Sequence, residues 1–155
     1  MDITAYDLAS RYAGMKEVSG STANPQVLAM LRLDGNTWVT DDSTPWCSAF
    51  MNYIAWLLRL PRSKSLAARS WLTIGKLIPF SDASIGYDVV VLARSLGTPD
   101  HPEPGPEVLD APGHVGFFAG FDASQVWLLG GNQSDMVSVT PFPRSRILGV
   151  RRLYP

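Results

Sequence analysis

The chain changes texture at Gly86. Before it, apolar residues recur at helical intervals; after it come short runs rich in β-branched residues, separated by turn formers. Helices first and strands second is the pattern of an α+β fold, with N-terminal helices packed on a C-terminal antiparallel β-sheet, and not of an alternating parallel α/β sheet. In the first half, helices are expected over 2–13, with Asp2 as cap and Gly14 as stop, over 26–33 behind Asn24-Pro25, over 45–58 and over 66–74. Turn chemistry fills 15–23. In the second half, strands are expected over 87–92, 114–120, 125–130, 136–140 and 147–153, running as a meander whose 114–120 and 125–130 members form a hairpin. Residues 97–113 hold five prolines and few apolar side chains, which reads as a long surface loop. A length of 155 residues with 46% hydrophobic content suits one core, so 1–155 is expected to be a single domain.

The only cysteine of the chain, Cys47, falls at the start of the third expected helix. Thr44 can cap that helix and Pro45 suits its first position, which puts Cys47 in the first turn, where free N–H groups and the helix dipole favour a thiolate. Trp46, Ala49, Phe50, Tyr53, Ile54, Leu57 and Leu58 form a broad apolar face by the 3.6-residue period, and Cys47 lies on its flank. A thiol nucleophile needs a base, and the base needs a group to hold its tautomer. Of the two histidines, His101 lies in the proline-rich loop, whereas His114 opens a strand after Pro112-Gly113 and is the better base. The segment Gly130-Gly131-Asn132-Gln133 ends the partner strand with two side-chain amides, and either can accept the Nδ1–H of imidazole. Asn132 is the first choice, with Gln133 and Trp46 as supporting residues. The backbone N–H groups of Cys47 and Ser48 are the candidates for an oxyanion hole. Asp88 reads as a strand-entry side chain that bonds a turn.

Several function classes are disfavoured. A net charge of −1 supplies no overall basic field for nucleic acid or membrane. The basic clusters Arg59/Arg62/Lys64 and Arg144/Arg146/Arg151/Arg152 read as solvated side chains at element ends. One cysteine forbids an internal disulfide, and with two histidines a structural zinc site is not expected. Asp34, Asn36, Asp41 and Asp42 do not match a calcium-loop spacing, so neither a metal nor another cofactor is expected. The N-terminus lacks the basic and apolar regions of a secretory signal, and no stretch is long enough for a membrane span, which together suggest synthesis in the cytoplasm.

Four blocks carry a family resemblance: Thr44-Pro45-Trp46-Cys47-Ser48-Ala49-Phe50, Ala67-Ala68-Arg69-Ser70-Trp71-Leu72, Gly113-His114-Val115-Gly116-Phe117 and Leu129-Gly130-Gly131-Asn132-Gln133-Ser134-Asp135. In this order the chain resembles the NlpC/P60 and CHAP cysteine peptidases, in a phage-associated branch, from about Tyr12 to Arg152. The resemblance implies a papain-like fold and a peptidoglycan hydrolase, with Cys47 as nucleophile, His114 as base and Asn132 as the polar third member. It departs at Gly86-Tyr87-Asp88, where the family's Gly is usually followed directly by Asp. It implies bacterial peptidoglycan as partner and action on the wall after release or delivery by another factor; a monomer without membrane insertion is expected. Endopeptidase and N-acetylmuramoyl-L-alanine amidase activities use the same machinery, and an endolysin is the primary reading. The alternatives are a wall-binding or virion structural module, with Trp38, Trp46, Trp71 and Trp127 as a sugar-stacking surface, and an antibacterial effector with the same chemistry.

Overall fold

The computed structural model describes residues 2–18 and 23–154. Three α-helices come first, α1 (Ala5–Ser10), α2 (Pro25–Arg32) and α3 (Cys47–Leu57), followed by a 3₁₀ turn at Ala68–Thr73. Six strands build one sheet: β1 (Lys76–Ile78), β2 (Asp88–Ala93), β3 (Gly113–Phe121), β4 (Gln125–Gln133), β5 (Met136–Pro143) and β6 (Ile147–Arg152). Their order is β1-β6-β2-β3-β4-β5, with every neighbouring pair antiparallel. The expected α+β architecture is therefore the observed one.

The sheet is not a simple meander. Strands β2 to β5 run as one, but β6 returns to pair with the free side of β2, and β1 covers β6 in turn. The reason lies in β2, all six residues of which are buried. An apolar strand of this kind left at an edge would offer its unpaired backbone to other chains. Its alternate side chains feed two cores: Val89 and Val91 join Phe50, Ile54, Trp71, Val115, Phe117 and Leu129 beneath the helices, while Val90 and Leu92 join Phe118, Val126, Leu128 and Val150 on the other face. Each such side chain contributes roughly 1.5–3 kcal/mol when fully buried. The short β1, with two of its three residues exposed, escaped the sequence reading.

The helices also start and end differently from expectation. Helix α1 is shorter than 2–13; Thr4, not Asp2, caps it, in a reciprocal capping box with Asp7. Asn24 caps α2 as expected, its side chain accepting from Gln26 N–H at 2.9 Å. The segment 66–74 forms the 3₁₀ turn rather than an α-helix. The turn expected over 15–23 falls partly outside the described residues; of the described part, Lys16 bridges to Met136 and Val137 N–H donates to Met15 O at 2.8 Å.

The proline-rich loop before β3 is held from beneath. Arg69 is fully buried, and its guanidinium donates to four loop carbonyls: Pro112 at 3.0 Å, Pro104 at 3.0 Å, Gly105 at 2.8 Å and Val108 at 3.2 Å. Its remaining terminal nitrogen has only the Glu103 carboxylate nearby, at 3.8 Å. Among the described residues no helix is long and apolar enough to cross a membrane.

Candidate active site

Cys47 is the first residue of α3, not the third as expected. Thr44 and Pro45 lie outside the helix, and Trp46 occupies the N-cap position without a side-chain cap bond. What fixes the helix start is the Trp46 ring. It is fully buried, its Nε1 donates to Glu17 Oε1 at 2.8 Å, and it packs so closely on β4 that a Cβ at Gly131 would stand 2.6 Å from it. Without a side-chain cap, the first N–H groups of α3 remain for the thiol. Burial pushes the Cys47 thiol up from its ordinary value; the backbone of Val115, Ser48 and Cys47 itself, with the positive charge of Arg94, brings it partly back down. Burial outweighs the helix terminus, which favours the neutral thiol over the thiolate.

Ser48, the next residue, is fully buried. Its hydroxyl donates to Ser65 O at 2.6 Å and accepts from Trp71 Nε1 at 2.9 Å. Asn52, one turn on, donates to the same Ser65 carbonyl at 3.0 Å and accepts from Lys64 N–H at 2.9 Å. These bonds tie the first turns of α3 to the segment that follows the helix, leaving the Ser48 backbone N–H at the helix mouth.

His114 is the second residue of β3, and its Nε2 lies 2.9 Å from Gln133 Oε1. The Gln133 amide has a fixed orientation, because its nitrogen donates to Leu128 O at 3.1 Å and Ser138 O at 2.7 Å. Its oxygen can only accept, so the neutral His114 ring carries its proton on Nε2 and keeps a lone pair on Nδ1. The tautomer is thus the reverse of the one anticipated from sequence, and the amide that sets it is Gln133 rather than Asn132. The reason is a bulge. Between Gly130 and Gln133 the β4–β5 register shifts, with Asn132 in the left-handed region at φ 57°. The extra residue breaks the alternation of β4 and aims Gln133 where Asn132 was expected. Gly130 is required beside it, since a Cβ there would stand 2.7 Å from Gln133 Oε1. Burial holds His114 below the ordinary imidazole value; Gln133 opposes this, and Arg146 and Arg94 reinforce it. The Phe142 ring covers the imidazole at 5.1 Å between centroids, and the Arg146 guanidinium lies 5.3 Å from the Phe142 centroid.

Cys47, His114, Asn132 and Gln133 all line one cleft of about 390 Å³. Of the sequence candidates, Trp46 supports the cleft from the core, and His101 is exposed in the proline-rich loop. Asp88 bonds its turn as expected, accepting from Ser84 N–H at 2.7 Å, and is also gripped by Arg152 at 2.7 and 2.8 Å. The acidic residues before α3 have protein partners: Asp34 pairs with Arg62 at 2.6 Å, Asp41 accepts from Ser43, and buried Asp42 accepts from Val18 and Asn24 N–H at 3.0 and 2.7 Å. The basic clusters are not simply solvated. Arg62 is in that ion pair, Arg152 holds Asp88, and Arg144, Arg146 and Arg151 donate to backbone carbonyls. Sequence reasoning missed Arg94, Thr140 and Phe142 as cleft residues. Arg94 was legible only through register: Leu92 pairs with His114, so Arg94, two residues on, falls beside the histidine.

A neutral imidazole with a free Nδ1, a thiol and helix-start N–H groups around one cleft is an arrangement suited to acyl transfer. Comparison with solved structures bears on the fold. NlpC1 from Trichomonas vaginalis matches with a TM-score of 0.54 at 18% identity, over 97% of this chain. The two chains share a fold. At this identity the likeness shows the α+β architecture and not the activity, and this chain spans 43% of that structure's chain. No protein-family model and no curated protein sequence matches the chain.

Proposed function

We propose that the protein is a peptidoglycan hydrolase that cuts an amide bond of the stem peptide through Cys47, acting as an endolysin. The observation that carries this reading is the orientation of Gln133, which commits the His114 proton to Nε2 and leaves Nδ1 as a base on the cleft that holds the only cysteine. In the reaction, Nδ1 takes the thiol proton as sulfur attacks the carbonyl carbon. Negative charge develops on the carbonyl oxygen, where the Cys47 and Ser48 N–H groups at the start of α3 stabilise it. The tetrahedral intermediate collapses with proton transfer from His114 to the departing amine, leaving a thioester on Cys47. Water, deprotonated by the same Nδ1, then releases the acid and restores the thiol. Asn132 is a wall of this cleft, and Gln133 is the residue that positions the imidazole.

The wall-binding alternative leaned on four tryptophans, and Trp46 and Trp71 among them are fully buried, with their indole nitrogens bonded to Glu17 and Ser48. The hydrolase reading is therefore preferred. Mass spectrometry of purified walls after digestion tests it. The expected products carry new amine and carboxyl ends at one stem-peptide bond, which distinguishes endopeptidase from amidase; intact muropeptides, or only new reducing ends, would contradict it.

A further inference from the structure

Two arginines stand in the cleft with Cys47 and His114, and the steps above use neither. Arg146 is half-buried and fixed: its Nε donates to Ala93 O at 3.0 Å and its Nη2 to Arg94 O at 2.8 Å, while the Phe142 ring centroid is 5.3 Å from its guanidinium and 5.1 Å from the centre of the His114 ring. Arg94 is exposed, and among the described residues its side chain makes no hydrogen bond or ion pair. Among the described residues no acidic side chain lines the cleft. Glu103, from the proline-rich loop, is the one carboxylate acting on Arg146, while Arg94 bears on Cys47, His114 and Arg146 alike. Two guanidinium groups lining one cleft repel each other and oppose the protonated imidazole that the reaction must form. An anion brought by the substrate relieves both effects, and guanidinium groups match a carboxylate in shape and charge.

We infer that Arg94 and Arg146 form a carboxylate subsite, so that the enzyme selects stem peptides with a free carboxylate next to the cut amide over those in which it is amidated. This rests on the hydrolase reading, which it deepens.

The test is arranged so that the two can fail separately. Cys47 is alkylated with iodoacetate and with iodoacetamide at one pH; in both, sulfur bonds to the methylene carbon and iodide leaves, and only the carboxylate differs. Any change in the thiolate fraction cancels in the ratio of the two rates. At low salt the wild-type ratio of iodoacetate to iodoacetamide is expected to exceed that of N-acetylcysteine, to fall about 5-fold in Arg94→Gln, as for loss of an ion pair worth near 1 kcal/mol, and to be largely kept in Arg94→Lys. Because the Arg94 side chain holds no other group, the variant is expected to fold, which circular dichroism verifies. The second arm compares kcat/KM on muropeptides with free and with amidated carboxyls: wild type favours the free form and Arg94→Gln loses the preference. An alkylation ratio equal in wild type and Arg94→Gln overturns the subsite, and so does equal cutting of free and amidated muropeptides by the wild-type enzyme. A protein that cuts neither form while keeping the alkylation preference overturns the hydrolase reading instead.

Discussion

At the residue scale, two amides adjacent in sequence have opposite assignments. Gln133 bonds the imidazole and Asn132 lines the cleft, so the two are separable by substitution. Gln133→Ala is expected to lower kcat/KM by roughly 5- to 30-fold, equivalent to about 1–2 kcal/mol for a lost hydrogen bond that positions the base. Asn132→Gly, which retains the φ of 57°, is expected to stay within about 3-fold of wild type, since it removes no bond to the histidine. Steady-state kinetics on a purified muropeptide decides; the reverse order would return the third role to Asn132. The amide pair was legible in the sequence as a pair. Which member faces the histidine was not, because a left-handed residue inverts the alternation, and Gly130, Gly131 and Asn132 are all residue types that tolerate that region, so the sequence does not say which of them adopts it.

At the scale of elements, the placement of Cys47 depends on contacts that no helix rule contains. Sequence reasoning sought a side-chain cap at Thr44 and a proline at the first position, yet the start of α3 is set by the Trp46 ring seated on Gly131. Gly131→Ala places its Cβ into that ring and is expected to cost roughly 1–3 kcal/mol by overpacking, seen as a lower urea midpoint with unchanged m-value, and to reduce activity with it. Arg69 plays the corresponding part for the histidine, since it bonds Pro112 O two residues before His114. Arg69→Met removes four bonds to the loop and is expected to destabilise by about 2–3 kcal/mol and to speed amide exchange across 97–112. The sequence marks that segment as a loop through its prolines; that one buried arginine organises it follows only from the tertiary structure.

At the scale of the whole molecule, burying the thiol and the imidazole in one cleft links stability to pH from both sides. His114 is held below its ordinary value, so its contribution is complete above the unfolded imidazole value of about 6.5 and is lost as pH falls through the folded value. The Cys47 thiol is raised, so its contribution is complete below the unfolded thiol value of about 8.5 and is lost as pH rises through the folded one. Stability is thus expected to peak between the two, with Cys47→Ala flattening the alkaline limb of urea midpoint against pH and His114→Gln flattening the acid limb. The order of helices and strands, the helix that begins near Cys47 and the strand that begins near His114 were all readable from periodicity. The return of β6 to cover β2 was not, because which strand protects an edge is decided by competition among strands rather than within any one of them. The account as a whole rests on one sulfur atom. Turbidity loss of purified walls with wild type and Cys47→Ala at matched concentration tests it most directly: the account predicts clearing by wild type and none above background with the variant, and clearing by Cys47→Ala at the wild-type rate would contradict it.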